Sequence, residues 1–286
     1  MPGIGPGVIL LVLIIFYMVT GSRDWMKCMA DTAAVSIRDV AMTYGEGAQA
    51  VEALSEISLD VMPGEFLAVV GPSGCGKSTL LRLVTGLRRP TRGGIFLQGL
   101  RVEGPRSDVG IVFQSPVLYP WRNVLENVLL PIQVLNLPVR RYHDRAHSLL
   151  ELVGLGGFAK HYPAELSGGM QQRAAIARAL VHDAPILIMD EPFGALDAMT
   201  REAMNLELQR IWQAQQKTVI FITHSIAEAV FLADRIVVMS PRPGRILDII
   251  ANPMPRLRNL DDMLMPEFGE KLRQVRSLLG GKGPGL

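Results

Sequence analysis

One octapeptide narrows the fold of this 286-residue chain more than any other feature: Gly71-Pro72-Ser73-Gly74-Cys75-Gly76-Lys77-Ser78. It fits the pattern G-x-x-x-x-G-K-[ST], and it lies between a continuous apolar run, Glu65 to Val70, and a helical stretch from Lys77 that Gly86 closes. An apolar run without polar alternation reads as a strand buried on both faces, as in a parallel sheet. Glycines let the loop turn its N–H groups inward. The first turn of the following helix adds partial positive charge, so the segment is built to wrap phosphate. By this pattern Lys77 reaches the β- and γ-phosphates, the Ser78 hydroxyl holds Mg²⁺, and Thr79 continues the first helical turn.

A second buried strand, Ile186 to Met189, runs into Asp190 and Glu191. A strand serving only the core would finish on apolar residues. Two adjacent carboxylates at its carboxyl end lie where open α/β sheets bind ligands. Asp190 suits the Mg²⁺-holding acid, and Glu191 is then placed to polarise an attacking water.

The rest of the pattern is that of an α/β domain. Strand-like runs at Val35 to Thr43 and Ile57 to Val61 suggest an antiparallel edge layer. A strand at Val109 to Phe113 leads to Gln114. From about Pro116 to Glu165 the spacing is helical, in Val124 to Leu135 and Arg145 to Val153, which reads as a helical insertion. Helices from Gly169 to Val181, near Arg201 to Gln213 and from Ile226 then alternate with strands Ile186 to Met189, Thr218 to Ile222, Arg235 to Met239 and Arg245 to Ile250. That is the order of a parallel sheet covered by helices. The catalytic body is expected over 35–250, with the insertion at about 116–166. Residues 251–286 form a short Pro- and Arg-rich tail carrying one amphipathic stretch, Glu267 to Leu279.

Residues 1–30 are an apolar extension. Its run from Val8 to Val19 is shorter than the roughly 20 residues a spanning helix needs. Charges follow this run rather than precede it, so a secretion signal does not fit. Two readings stand, a start-site artefact with translation beginning at Met26 or Met29, and a weak membrane anchor. The 29 basic and 27 acidic residues are spread along the chain for a net charge of +2, and no charge block points to nucleic acid. Of the two cysteines, Cys28 and Cys75, the second sits in the glycine loop, where a disulfide would distort the turn; this argues for a reducing, cytoplasmic setting. His143 and His147 have i, i+4 spacing but no third ligand, and read as a solvated helix face.

Leu166-Ser167-Gly168-Gly169-Met170-Gln171 opens another helix with a serine and two glycines. Alone this is an ordinary helix cap, though also an anion-binding one. With LSGGMQQR, the phosphate loop and the acidic strand end in this order, the chain from Val35 to Ile250 resembles the ATP-binding cassette (ABC) family. The resemblance implies a P-loop NTPase fold of ABC type: a mixed, mainly parallel sheet core with an antiparallel β layer and an inserted α-helical subdomain. It implies ATP and Mg²⁺, and a head-to-tail homodimer in which Ser167, Gly168 and Gly169 of one subunit cap the ATP held by residues 71–79 of the other. Tyr44 resembles the aromatic stacking on adenine, Gln114 the residue sensing Mg²⁺ and water, Asp197 the contact across the dimer, and His224 the switch histidine on the γ-phosphate. Tyr44 also reads as a plain strand aromatic, Gln114 as a polar strand end and His224 as a structural histidine. Gly194 and Ser225 depart from the common pattern without removing a phosphate or metal ligand.

Phe113 to Pro116, Leu118 to Val124, EPFGALDA from Glu191 and MSPRPGRI from Met239 resemble the nitrate, sulfonate and taurine importer group. The implied partners are integral-membrane permease subunits and, indirectly, an extracytoplasmic substrate-binding protein, with the cassette peripheral on the cytoplasmic face. Exposed Trp121 and Leu118 are expected to dock a helix of the permease; packing within the insertion is the other reading of Trp121. Thiamine-precursor pyrimidines or another small solute, and a non-transport regulatory ATPase, stay open as alternatives.

Overall fold

The computed structural model describes residues 33–280. Two sheets organise them. In the smaller, β1 (Val35–Tyr44), β2 (Val51–Val61), β4 (Arg92–Leu97) and β5 (Leu100–Arg101) lie antiparallel in the order β2-β1-β4-β5. The larger sheet contains β3 (Phe66–Val70), β6 (Val109–Val112), β7 (Ile186–Asp190), β8 (Thr218–Ile222), β9 (Arg235–Met239) and β10 (Ile246–Ala251), in the order β10-β9-β3-β8-β7-β6. Its pairs are parallel except for β10 on β9.

Every residue of β3, β7 and β8 is buried, the physical reason their sequences, Asp190 and Thr218 apart, are apolar. The two faces of β3 serve two cores. Phe66, Ala68 and Val70 pack with the helical side, while Leu67 and Val69 pack toward the small sheet. Each buried Val, Leu or Phe contributes about 1.5–3 kcal/mol relative to exposure, so a one-residue slip, which swaps the faces, is strongly opposed. Helix α1 (Lys77–Val84) lies in this second core through Leu80, Leu81, Leu83 and Val84.

Short helices α2 (Val124–Val128) and α3 (Leu130–Val134), then α4 (Val139–Leu152), make up the inserted region, and α5 (Gly168–Leu180) packs against it. The expected single helix over Val124 to Leu135 is thus broken at Leu129, just ahead of Pro131, which has no N–H to give to a continuing helix. Its start is well specified, because Asn123 and Glu126 form a reciprocal capping box at 2.8 and 2.9 Å. Helix α4 begins at Val139, earlier than the apolar spacing suggested, on an exposed basic turn.

The next elements are α6 (Ala198–Gln215), α7 (Ile226–Leu232) and α8 (Pro266–Leu278). The tail is tied down. Phe268 and Val275 are buried in the core, and the buried Arg258 guanidinium donates to the carbonyls of Val230, Phe231, Ala233 and Met254, capping the end of α7. Burial pulls this guanidinium down to about 10. No helix among the described residues is long and apolar enough to cross a membrane. The run Val8 to Val19 lies outside the described residues.

Candidate active site

The loop after β3 has the tight geometry its glycines implied. Gly76 sits at φ +107, and a Cβ there would lie 2.6 Å from Leu54 Cδ2 and 2.9 Å from the Ala53 carbonyl, so no other residue fits. Cys75 is buried beneath the loop. The Lys77 ammonium, itself buried, donates to the Gly71 and Pro72 carbonyls at 2.8 and 3.1 Å, which holds it in the mouth of the loop.

Ser78, one residue on, sets its hydroxyl near Asp190 at the end of β7, where it favours the charged carboxylate. Burial pushes the Asp190 carboxyl above the ordinary aspartate range, against the nearby Ser78 hydroxyl and the Lys77 charge, while Glu191 adds to the rise. A buried carboxylate beside a hydroxyl is a hard-oxygen donor set, the kind Mg²⁺ prefers. A cation there would offset the burial penalty on Asp190.

Glu191 turns out of the strand in the left-handed region at φ +46, unusual for a residue with a side chain. Its N–H donates to Ile222 of β8 at 2.8 Å, so sheet pairing holds the turn in place. The turn aims the carboxylate at two side chains far away in sequence. Gln114 Nε2 lies 3.2 Å and His224 Nδ1 3.1 Å from Glu191 Oε2. Parallel pairing of β6, β7 and β8 brings their carboxyl ends together and explains why these three residues meet.

A cleft of about 580 Å³ joins these parts, lined by Tyr44, Ser73, Gly74, Gly76, Lys77, Ser78, Thr79, Gln114, Glu191 and His224, with Val51 and Ala53 of β2 and Arg242. Tyr44 is braced by the Thr79 hydroxyl at 3.3 Å and by the Arg88 guanidinium, 4.9 Å from the ring centroid. Gly71, Pro72, Cys75 and Asp190 contribute from behind or beneath the cleft and do not line it.

Ser167, Gly168, Gly169 and Asp197 stand outside it. Ser167 caps α5 by accepting from the Met170 N–H at 3.3 Å, and Asp197 caps α6 by accepting from Thr200 at 3.0 Å. That bond lowers the Asp197 carboxyl below the usual range. Both residues are exposed, as is Gly168.

Several links lay beyond the sequence pattern. On α5, buried Gln172 donates to the Phe113 carbonyl at 3.1 Å, and Arg178 to the Pro116 and Val117 carbonyls at 2.8 Å each, so the serine-capped helix grips the segment around Gln114. Arg242 entered the cleft unforeseen. Past Gln114, Trp121 is 70% exposed and stacks on Tyr119 with centroids 4.9 Å apart. Leu118, expected to be exposed beside it, instead packs against the core, and Val117, 59% exposed, takes that place at the surface.

A glycine-wrapped lysine, a buried strand-end acid and a glutamate poised beside it define the chain as a P-loop nucleotide hydrolase. Residues 54–194 match the family model described as ABC transporter. Three relatives align over most of their length. An uncharacterized ABC transporter ATP-binding protein of Methanocaldococcus jannaschii is 45% identical over 253 residues, 88% of this chain and 93% of that protein. The aliphatic sulfonates import ATP-binding protein SsuB of Bacillus cereus is 42% identical over 240 residues, 84% and 94% of the two chains. The taurine import ATP-binding protein TauB of Burkholderia pseudomallei is 46% identical over 245 residues, 86% and 91%. Among solved structures, the dimeric ABC transporter cassette MJ0796 superposes with a TM-score of 0.70 at 33% identity, over 77% of this chain and 100% of that one. The same cassette as a post-hydrolysis dimer with ADP and Pi gives 0.65 at 33% identity, over 75% and 99%. The chain belongs to the ABC transporter family.

Proposed function

We propose that this chain is the ATP-binding and ATP-hydrolysing subunit of an ABC importer for sulfonates, taurine or a similar small anion such as nitrate. It works as a head-to-tail homodimer on the cytoplasmic face of the membrane beneath separate permease subunits. The observation that carries the hydrolytic reading is the meeting of Gln114, Glu191 and His224 in one cleft with the phosphate loop. The importer assignment is supported by the relatives that bear sulfonate and taurine import names.

In this mechanism Tyr44 stacks on the adenine, the N–H groups of 71–79 wrap the phosphates, and Lys77 turns its ammonium from the loop carbonyls to the β- and γ-phosphates. Ser78, Asp190 and Gln114 would hold Mg²⁺, which neutralises phosphate charge when bound. Glu191 accepts the proton of the attacking water, and His224 donates to the γ-phosphate as charge builds there. Ser167, Gly168 and Gly169 of the second subunit close over the same nucleotide with the free N–H groups of their helix start, and Asp197 contacts the partner nearby. The Tyr119–Trp121 stack with Val117 is the apolar patch for the permease.

Co-expression with the native permease and substrate-binding protein, followed by reconstitution in vesicles, tests this reading. Expected are ATP hydrolysis stimulated several-fold by a sulfonate or by taurine, and loss of permease binding on Trp121→Ala with turnover of the free subunit unchanged. Purification without any permease, and hydrolysis indifferent to such solutes, would count against import.

A further inference from the structure

The turn between β9 and β10 is stitched to both walls of the cleft. Ser240 closes it, its N–H donating to the Arg245 carbonyl at 2.9 Å and its hydroxyl to the Pro243 carbonyl at 3.0 Å. Gly244 pairs with β2, donating to Ala53 and accepting from Ser55, both at 3.0 Å. A Cβ at Gly244 would run into the Cys75 carbonyl, so the turn is pressed directly onto the phosphate loop. On this fixed base stands Arg242. Its guanidinium lines the cleft and donates through Nε and Nη2 to one acceptor, the Gly74 carbonyl, at 3.3 and 3.2 Å. Arg242 is exposed at the cleft rim, and among the described residues it has no carboxylate partner.

We propose that Arg242 is a nucleotide-contacting residue, supplying positive charge to the polyphosphate from the rim of the phosphate loop, separately from Lys77. The inference rests on the nucleotide-binding reading of the cleft. A guanidinium has five N–H donors in a planar fork suited to phosphate oxygens, and a single backbone carbonyl leaves part of that fork open to an arriving anion. The cleft it lines is bounded on other sides by Tyr44, Val51 and Ala53 of β1 and β2 and by the loop residues Ser73 and Gly74. A nucleotide with its phosphates on this loop lies in the cleft that the guanidinium lines.

Calorimetric titration of ATP, ADP and adenosine into the wild type, Arg242→Gln and Arg242→Lys tests this, with melting curves of each protein alone. Arg242→Gln is expected to weaken ATP and ADP about 5- to 20-fold and adenosine less than twofold, raising KM with kcat within twofold. Arg242→Lys should weaken ATP only two- to fivefold, and added salt should lower ATP affinity less steeply in Arg242→Gln than in the wild type. Equal losses for ATP and adenosine, with lowered melting in both variants, would mean that Arg242 only braces the loop, and would overturn the proposal. So would unchanged ATP affinity. Should Arg242→Gln not fold, Arg242→Lys is read in the same way. A wild type that binds no ATP sinks the nucleotide reading itself, whereas a wild type that binds ATP beside an unaffected Arg242→Gln sinks only this inference.

Discussion

Two helices in this chain begin with glycines, and their starts are built in opposite ways. The start of α1 is walled in: Gly76 in the left-handed region touches β2, Lys77 is buried and bonded to the loop, and no side chain caps the helix. The start of α5 is open: Ser167 caps it, and a Cβ on Gly168 would meet nothing within 4 Å. In the proposed reading the first is a half-site shaped for nucleotide phosphate by its own chain. The second presents free N–H groups to solvent in the single chain, which is what a surface completed by a second subunit requires.

The contrast is sharpest in function. Glu191→Gln should reduce turnover roughly 10²- to 10⁴-fold while ATP still binds, so that the ATP-held dimer accumulates on size-exclusion chromatography. Turnover near wild type would remove Glu191 from the base role. Lys77→Ala should weaken ATP binding by the monomer on the order of 100-fold, the loss of charge-assisted bonds to phosphate. Ser167→Arg should leave that monomer affinity within about twofold while lowering turnover and ATP-dependent dimer formation on the order of 10²-fold. Titration and sedimentation separate the two variants, and a loss of monomer ATP affinity in Ser167→Arg would break the comparison.

Stability gives a smaller contrast. Gly76→Ala, forced into φ +107 against Leu54, should cost about 2–4 kcal/mol in urea unfolding. Gly168→Ala, unstrained and uncrowded, should stay within about 0.5 kcal/mol. The smallest effect concerns pH. Because burial raises the Asp190 carboxyl in the folded chain, the native state holds its proton to higher pH than the unfolded state does. Stability without nucleotide should therefore fall as pH rises from the ordinary aspartate value through the raised one. Asp190→Asn should flatten that slope. Over the same window the proton competes with Mg²⁺, so metal-dependent ATP binding by the wild type should strengthen as pH rises.

Much of the site was legible because its chemistry is local. Residues 71–79 carry strand, loop and helix signals in one stretch, and Asp190-Glu191 ends an apolar run that a core strand would have finished otherwise. The parts that escaped are those written in two places at once. Strand β4 has Gly93 and Gly94 at its start, poor strand formers, yet Gly93 at φ +83 is required because β1 carbonyls of Arg38 and Asp39 crowd it. β2 also extends back to Val51, through a positive-φ residue at Glu56 and a buried run, Ala53 to Ser55, that gives no clean alternation. Gln172, Arg178 and Arg242 act through backbone carbonyls 59 or more residues away, and a carbonyl leaves no mark on sequence. Leu118 turns inward and Val117 outward at a positive φ on Val117, a turn no pattern announces.

Gln114 and His224 both converge on one oxygen of Glu191, and no group among the described residues is hydrogen-bonded to the other. The two oxygens of this carboxylate are therefore not equivalent. One is engaged by Gln114 and His224, and its partner, Oε1, keeps its lone pairs uncommitted, so in the proposed mechanism it is the oxygen that takes the proton. A symmetric functional group has been made one-sided by its neighbours, and the proposed proton transfer inherits that direction.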